Sequence, residues 1–588
     1  MNEAASRHPD VIPVGAVRGG AAVRAAVDAE RPRLLAEAGL SVAPIAHFRR
    51  PEERAFTRAE REHVTILFGG LTTRHERLVH AALEGLGYHV DIVPTPRKAD
   101  FQAGKEFGNN GQCNPTYFTV GALVNYLRDL RDRQALSRDQ ILNDYVFITA
   151  GACGPCRFGM YEAEYRLALK NSGFDGFRVL LFQQGGGLNQ AEVEAGIDFN
   201  LNFFLSLLNA LFMGDLLNEV AYHIRPYEVV AGRTNAVLET CLARCQERLR
   251  ARSYDDIHGG ALTRLISRFT PLQNADETAM FLDQLRSDYY VTTLRECARM
   301  LQDEVEVDYT RVKPTVKITG EFWAQTTEGD GNFHMFGFLE GEGAEVLVEP
   351  IATWISYMLN QARTRCRDRR GLDDDGERAR DLRGRVQQER RYRRSMFSFA
   401  LADRVLTREY DRMRQALGGT THALVNQLEL QRMAHPYYNM RAGGGEGHLE
   451  VAKSIYYSNK DLCHMVLSLK PFGCMPSTQS DGAQAAVTAN FPDLLFLPIE
   501  TSGEGDINAY SRVQMALGEA KAKARTEFRQ AVTASGHTLD DIRAYVAAHP
   551  ELRRPLQHVP TRDGVVGRAA RFCVHVASLM DADTARAQ

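Results

Sequence analysis

Short apolar runs, each closed by glycine or a polar turn and followed by an amphipathic stretch, recur along this chain. Val64–Phe68 (VTILF) reads as a strand, Gly69-Gly70 as a turn, and about His75–Leu86 as a helix closed by Gly87. Tyr88–Val93 supplies the next strand, which gives a parallel βαβ unit. Tyr145–Thr149 and Val179–Phe182 continue the same grammar. A second α/β unit opens near Val312, with strands expected at Val316–Thr319, Ala344–Val348, about Met465–Leu469 and Leu494–Pro498. Between and around them, residues 215–310, Ile351–Leu417 and the chain from about Tyr510 read as mostly helical. The pattern predicts a helical or partly mobile extension over 1–60 and an α/β domain over 61–310. It predicts a second α/β domain over 311–535 and a helical segment over 536–588. Gly69-Gly70 lacks the rest of a dinucleotide fingerprint and the P-loop lysine, so a tight turn is its expected role.

Composition narrows the functional classes. With 588 residues the chain is too long for one ordinary core. A net charge of −3 gives no argument for nucleic acid or an anionic membrane surface. The most apolar long stretch, Phe199–Met213, is interrupted by three asparagines and is too short to span a bilayer, so a buried helix is expected. The first residues lack a basic-then-apolar signal pattern. Together with ten cysteines, this points to a reducing cytoplasm, where thiols serve as metal ligands, redox groups or core residues.

Three cysteine stretches carry the chemistry. Cys113-Asn-Pro115, Cys153-Gly-Pro155-Cys156 and Cys474-Met-Pro476 each place a proline two residues after a cysteine and before a helical pattern. Proline suits the first turn of a helix, so each cysteine is expected at a helix N-terminus. There, free N–H groups and the helix dipole favour a thiolate, the ligand of iron–sulfur clusters. Cys113, Cys153, Cys156 and Cys474 are therefore the candidate cluster ligands, with Cys463 a weaker one that a core role also explains. Cys153-Gly-Pro-Cys156 also matches a thioredoxin-type dithiol, and a structural zinc is a further alternative. Cys241 and Cys245, one helical turn apart, are expected to be packing residues. Cys297, Cys366 and Cys573 have no supporting context. His464 reads as an ordinary half-buried histidine. Glu500 and Glu504 could act as acid or base at a strand end, with capping of the next helix the blander role. Arg157 could offset cluster charge, grip an anion or make a surface salt bridge.

At FGNNGQCNPTYF, TAGACGPCRFGMYEAEYR and KPFGCMPSTQSDG the chain resembles the 2-hydroxyacyl-CoA dehydratase superfamily, and within it the acyl-CoA dehydratase activase-related (CoA-substrate-specific activase-like) proteins. The resemblance spans about residues 60–530 and is specific at the cysteine stretches. It implies two Rossmann-like parallel-sheet domains around an oxygen-sensitive iron–sulfur site, with additional helical segments. It also implies a 4Fe–4S cluster on Cys113, Cys153, Cys156 and Cys474, with a double cubane as the alternative. The partner implied is a separate actin/Hsp70-like ATPase activase carrying its own 4Fe–4S cluster, because this chain lacks the ATPase module. The substrate class implied is an acyl-CoA thioester, and homo- or hetero-oligomers are compatible with it. The function expected is acceptance of low-potential electrons for dehydratase-like or reductive chemistry. A non-catalytic electron-transfer or assembly component, or a CGPC dithiol oxidoreductase, is the alternative.

Overall fold

The apolar runs form eight strands in two parallel sheets. The structure, a computed structural model, describes residues 20–39, 53–151, 156–183, 196–254, 257–267, 272, 274–371 and 382–587. The chain divides into a unit ending at Glu53, which contains the helix Gly20–Glu37, and a unit from Arg54 onward that contains both sheets.

The first sheet has β1 (Thr65–Phe68), β2 (His89–Ile92), β3 (Tyr145–Gly151) and β4 (Val179–Gln183) in the order β2-β1-β3-β4. The second has β5 (Thr315–Gly320), β6 (Glu345–Leu347), β7 (Met465–Pro471) and β8 (Phe496–Thr501) in the order β6-β5-β7-β8. All six pairings are parallel, and the two sheets share one winding. Each reverses direction of winding beside its first strand, between β1 and β3 and between β5 and β7. In open α/β sheets that reversal, at the carboxyl ends of the strands, is where ligands bind. The central strands β5 and β7 are buried along their whole length because helices cover both faces, which explains why apolar residues dominate them and why Lys317 and Lys470 within them need buried partners.

The apolar stretch expected to end at Met213 continues as one helix, Leu201–Ile224, capped by Asn200, which accepts from the Phe203 N–H at 2.9 Å. Gly214, Asp215, Asn218 and Glu219 lower the hydropathy of its second half but are themselves buried. By length and composition Leu201–Tyr227 could cross a membrane, yet 78% of its apolar window is buried in the fold. It packs as a core helix.

By composition Gly104–Pro115 (GKEFGNNGQCNP) reads as a Gly/Asn-rich loop, but the loop is shorter than that. Lys98–Phe107 is helical, and Gly104 lies inside it. A Cβ there would sit 1.9 Å from the Tyr117 carbonyl oxygen, so this glycine serves a close helix crossing. Gly69-Gly70 is a turn as expected. Gly70 has φ +97°, and the N–H groups of Gly70 and Leu71 donate to Glu76 Oε1 at 2.9 and 3.1 Å. A carboxylate of the chain itself takes the amides that a phosphate would need.

Beside β5 and β6 lies a buried charge network. Lys317 Nζ donates to Glu349 Oε2 at 2.7 Å, the Tyr457 hydroxyl donates to the same oxygen at 3.0 Å, and Thr353 Oγ1 donates to Oε1 at 2.9 Å. Burial opposes ionisation of Glu349, but the Lys317 and Lys453 charges win and hold its pKa at about 2. A carboxyl depressed below its unfolded value of 4.5 stabilises the fold above that pH and loses the effect as pH falls toward 2. Between pH 7 and pH 3 the loss should be about 2 kcal/mol. The stability gap between the native protein and E349Q, followed by urea unfolding, should shrink by that amount over the same interval. A gap independent of pH would contradict the assignment.

Candidate functional site

Three cysteine turns, drawn from both sheets, meet beyond the carboxyl ends of the strands. Cys113 is the N-cap residue of the helix Asn114–Asp132, with Pro115 in its first turn, and Cys474 is the N-cap residue of Met475–Asn490, with Pro476 in the same position. Cys156 opens the 3-10 turn Arg157–Met160 that leads into Tyr161–Asn171. The Asn114 N–H donates to the Phe472 carbonyl at 3.1 Å, and the Asn114 side-chain amide donates to the Thr501 carbonyl at 2.7 Å. These bonds lock the Cys113 turn to the ends of β7 and β8. A Cβ on Gly473 would lie 3.2 Å from Cys113 Cα. On Gly445, at φ +107°, a Cβ would lie 2.3 Å from Pro476 Cγ and 3.5 Å from Cys156 Cβ. The GGGEG stretch thus lies between the Cys156 and Cys474 turns, where a side chain would force them apart. Cys153 lies outside the described residues.

Aromatic packing fixes the same junction. Phe118, one turn into the Cys113 helix, stacks at 4.9 Å from Phe101 and 5.5 Å from Trp323, which follows β5. Thr327 Oγ1 donates to the Gly70 carbonyl at 3.0 Å, tying the loop after β1 to the loop after β5.

Three glutamates that the sequence reading gave no role stand beside the cysteines. Glu321 follows β5 directly and caps the short helix Phe322–Thr326, accepting from the Ala324 N–H at 2.9 Å. Glu446 accepts from the Phe322 N–H at 2.5 Å. Glu450 accepts from Ser477 Oγ at 2.7 Å and from Ser480 Oγ, and lies 3.7 Å from Lys470 Nζ. Burial raises the Glu446 pKa to about 8, with Glu321 adding to it, and raises that of Glu321 to about 7. The strand-end position of Glu321 was a usable signal, since ligand sites of parallel sheets lie there. Glu446 and Glu450 had no such marker.

The helix N-terminal placement of the three cysteines matches expectation, but its effect on the thiols is reversed. Burial, followed by the nearby carboxyls, pushes Cys474 and Cys156 upward. Burial also raises Cys113, against opposing hydrogen bonds from Thr116 at 3.1 Å and the Tyr161 hydroxyl at 3.2 Å. A helix terminus contributes a partial charge, whereas each buried carboxyl contributes up to a full one and burial acts on the thiolate directly. Thiols in this setting become thiolates when a cation displaces their protons.

Neither a family model nor a curated protein matches this chain.

The remaining candidates separate clearly. Cys463 precedes β7 while Cys474 follows it, so the length of a seven-residue strand, about 23 Å, stands between them. Cys463 is buried, and its thiol is pushed up to about 12 by that burial. Cys241, Cys245 and Cys297 form one buried group, in which the Cys241 thiol donates to the Cys297 carbonyl at 3.8 Å. Cys573 is buried in the same core. His464 is more deeply buried than expected and structural: its Nδ1 accepts from the Thr315 N–H at 3.0 Å, at the start of β5. Glu500 and Glu504 are exposed, and the helix after them begins at Asp506 with Gly505 as N-cap, so neither glutamate caps it. Arg157 donates to the Gly111 carbonyl and thereby fastens the loop before Cys113 to the Cys156 turn.

The three described cysteine sulfurs do not form a set within 4.8 Å of one another, as the ligands of one metal ion would. A four-iron cluster spreads its thiolates over a larger body. Three thiols and three carboxyls stand at this junction, and Lys470 is engaged by Asp481.

Proposed function

We propose that this is a cytoplasmic iron–sulfur protein in which two Rossmann-like units meet around the cluster. It accepts low-potential electrons from a separate ATP-dependent activase, for 2-hydroxyacyl-CoA dehydratase-like or reductive chemistry. The supporting observation is the meeting of the Cys113, Cys156 and Cys474 turns, which come from distant parts of the chain and are packed glycine against cysteine. Cysteine turns brought toward one another from both sheets are the setting in which thiolates ligate an iron–sulfur cluster. Those three cysteines and Cys153 would hold the cluster, which supplies one-electron transfer when bound. The Tyr161 and Thr116 hydroxyls lie within hydrogen-bond distance of Cys113 sulfur, where they would donate to a thiolate, and the glycines at 445 and 473 let backbone approach closely. The Phe118–Trp323 contact holds the two sheets in the register that sets the cysteines together.

The test is iron and acid-labile sulfide per chain after anaerobic purification, with an EPR spectrum of the reduced protein. About four irons are expected, and C474A and C113A should each lose most of them. About eight irons would indicate a double cubane, whose extra thiols could not include Cys463 at the far end of β7. Iron-free protein with a reversible Cys153–Cys156 disulfide would overturn the reading in favour of a dithiol oxidoreductase.

A further inference from the structure

A second constellation stands apart from the cysteines, on the far half of the helix Leu201–Ile224. Glu219 and His223 are one helical turn apart there, and both are buried. His422 reaches them from the segment after the long helix Leu382–Ala416. Its backbone N–H donates to Glu219 Oε1 at 2.7 Å, and its Nδ1 lies 2.6 Å from the same oxygen. His223 Nε2 lies 3.8 Å from Glu219 Oε1. One ligand atom from each residue falls within 4.8 Å of the other two.

Two polar atoms of this group have no hydrogen-bond partner: Glu219 Oε2 and His223 Nδ1. Both belong to side chains no more than 4% exposed. Buried polar atoms are almost always satisfied, so Glu219 Oε2, on the carboxylate that both histidines approach, marks a missing partner; His223 approaches it with Nε2, not with the orphaned Nδ1. An ion held by these residues would supply one. We propose that Glu219, His223 and His422 form a binding site for a divalent transition-metal ion, zinc or ferrous iron by ligand type. This inference is independent of the iron–sulfur reading.

The donor chemistry fits. Two imidazoles and one carboxylate are the borderline N/O set that zinc and ferrous iron take. With bonds of about 2.0–2.1 Å, tetrahedral ligand atoms lie about 3.4 Å apart. The His223–Glu219 separation of 3.8 Å is near that value, and His422 must open from its hydrogen bond by less than about 1 Å. The His422 side chain is 36% exposed, which gives an ion a way in without unfolding the core. Outside the three ligands, Glu345 Oε1 lies 3.9 Å from His223 Nε2. Glu345 is itself fixed by Arg568 at 2.9 Å and the Tyr227 hydroxyl at 2.9 Å. Glu345 thus faces the same ring nitrogen as Glu219 and adds a second carboxylate on the ion's side of His223.

Glu219 has a second neighbourhood. It lines a small cavity of about 20 Å3 together with Thr72, His75, Asp215 and Asn218, which neither His223 nor His422 lines. Three protein ligands leave a fourth position for water, as in zinc sites that do chemistry.

The experiment uses the full chain, freed of metal and then titrated with Zn2+ and, separately, with Co2+ as a spectroscopic probe. The unmodified protein is expected to show a Co2+ site with ligand-field bands and without the intense sulfur-to-cobalt charge-transfer band that the cysteine turns would give. In H422A, chosen because its side chain reaches the surface, the affinity of this site should fall by at least about tenfold, with circular dichroism unchanged. H223A should do the same, and E219Q should weaken binding while keeping the side-chain size. If every bound Co2+ shows the thiolate band, or if H422A binds both ions as tightly as the unmodified protein, the site does not exist. If H223A fails to fold, the comparison of H422A with H422N decides alone: both remove the ligand set, and retention of the N/O site in either overturns the proposal.

Discussion

Alanine at Asp215 should cost about 4 kcal/mol of stability, although the residue is far from any chain terminus and carries a single small side chain. The carboxylate holds three groups at once. Its Oδ1 accepts from the Ile351 N–H at 2.7 Å and faces His75 Nε2 at 3.1 Å, and its Oδ2 accepts from the Ala352 N–H at 2.9 Å. Ile351 and Ala352 open a helix whose N-cap, Pro350, offers no side-chain acceptor. Asp215 therefore caps, from a distant part of the chain, a helix that cannot cap itself. Removing it leaves two buried N–H groups and His75 Nε2 without partners, and each such group costs about 1–3 kcal/mol. The site has been built tightly around the histidine, since a Cβ on Gly214 would lie 2.2 Å from His75 Cδ2. Urea unfolding midpoints should place D215N between the native protein and D215A, because the amide keeps one acceptor. A D215A protein within about 1 kcal/mol of native would mean that water replaces the carboxylate.

Gly121→Ala should also be strongly destabilising, against the ordinary preference of helices for alanine over glycine. Gly121 lies in the middle of the Cys113 helix, where propensity alone favours the substitution by about 1 kcal/mol. A Cβ there would sit 1.7 Å from the Asp100 carbonyl oxygen and 2.5 Å from the Gly104 nitrogen. Both obstacles are backbone, so the helices Lys98–Phe107 and Asn114–Asp132 must separate. Overpacking that moves backbone costs about 3 kcal/mol or more. The shift propagates to Cys113 at the start of the same helix, so iron content should fall with stability. Gly518→Ala is the matched control, in an exposed helix interior with nothing within 4 Å of the new Cβ. It should stabilise by about 0.5–1 kcal/mol. Equal effects at 121 and 518 would refute the close-crossing argument.

The strands at the centre of each sheet were legible because burial on both faces leaves a predominantly apolar run, as at Val64–Phe68 and Met465–Leu469. Edge strands were read less well. The last was expected over Leu494–Pro498, but its pairing runs on to Thr501 opposite Pro471, through an exposed Glu500 that hydropathy rejects. The helix Leu201–Ile224 was cut short for a related reason: Asp215, Asn218 and Glu219 are polar, and only tertiary partners make their burial tolerable. Gly104 looked like a loop residue because a glycine at a helix crossing and a glycine in a turn are identical in sequence. At the site, the Cys-x-Pro turns were readable from local rules alone. Glu321, Glu446 and His422 were not, since each gains its meaning from a residue far along the chain.

That distance has a consequence for biosynthesis. Cys113 belongs to the first sheet and Cys474 to the second, and the turn that joins them uses Thr501 beyond the last strand but one. A nascent chain emerging from the ribosome can form the first sheet early, yet it cannot complete the cysteine junction until Thr501 has been made. During that interval the early thiols and the Trp323-facing aromatics stand uncovered, open to oxidation and to other hydrophobic chains. On the reading proposed above, cluster loading would follow completion of this junction, and early truncation would leave one finished sheet without an assembled cysteine site.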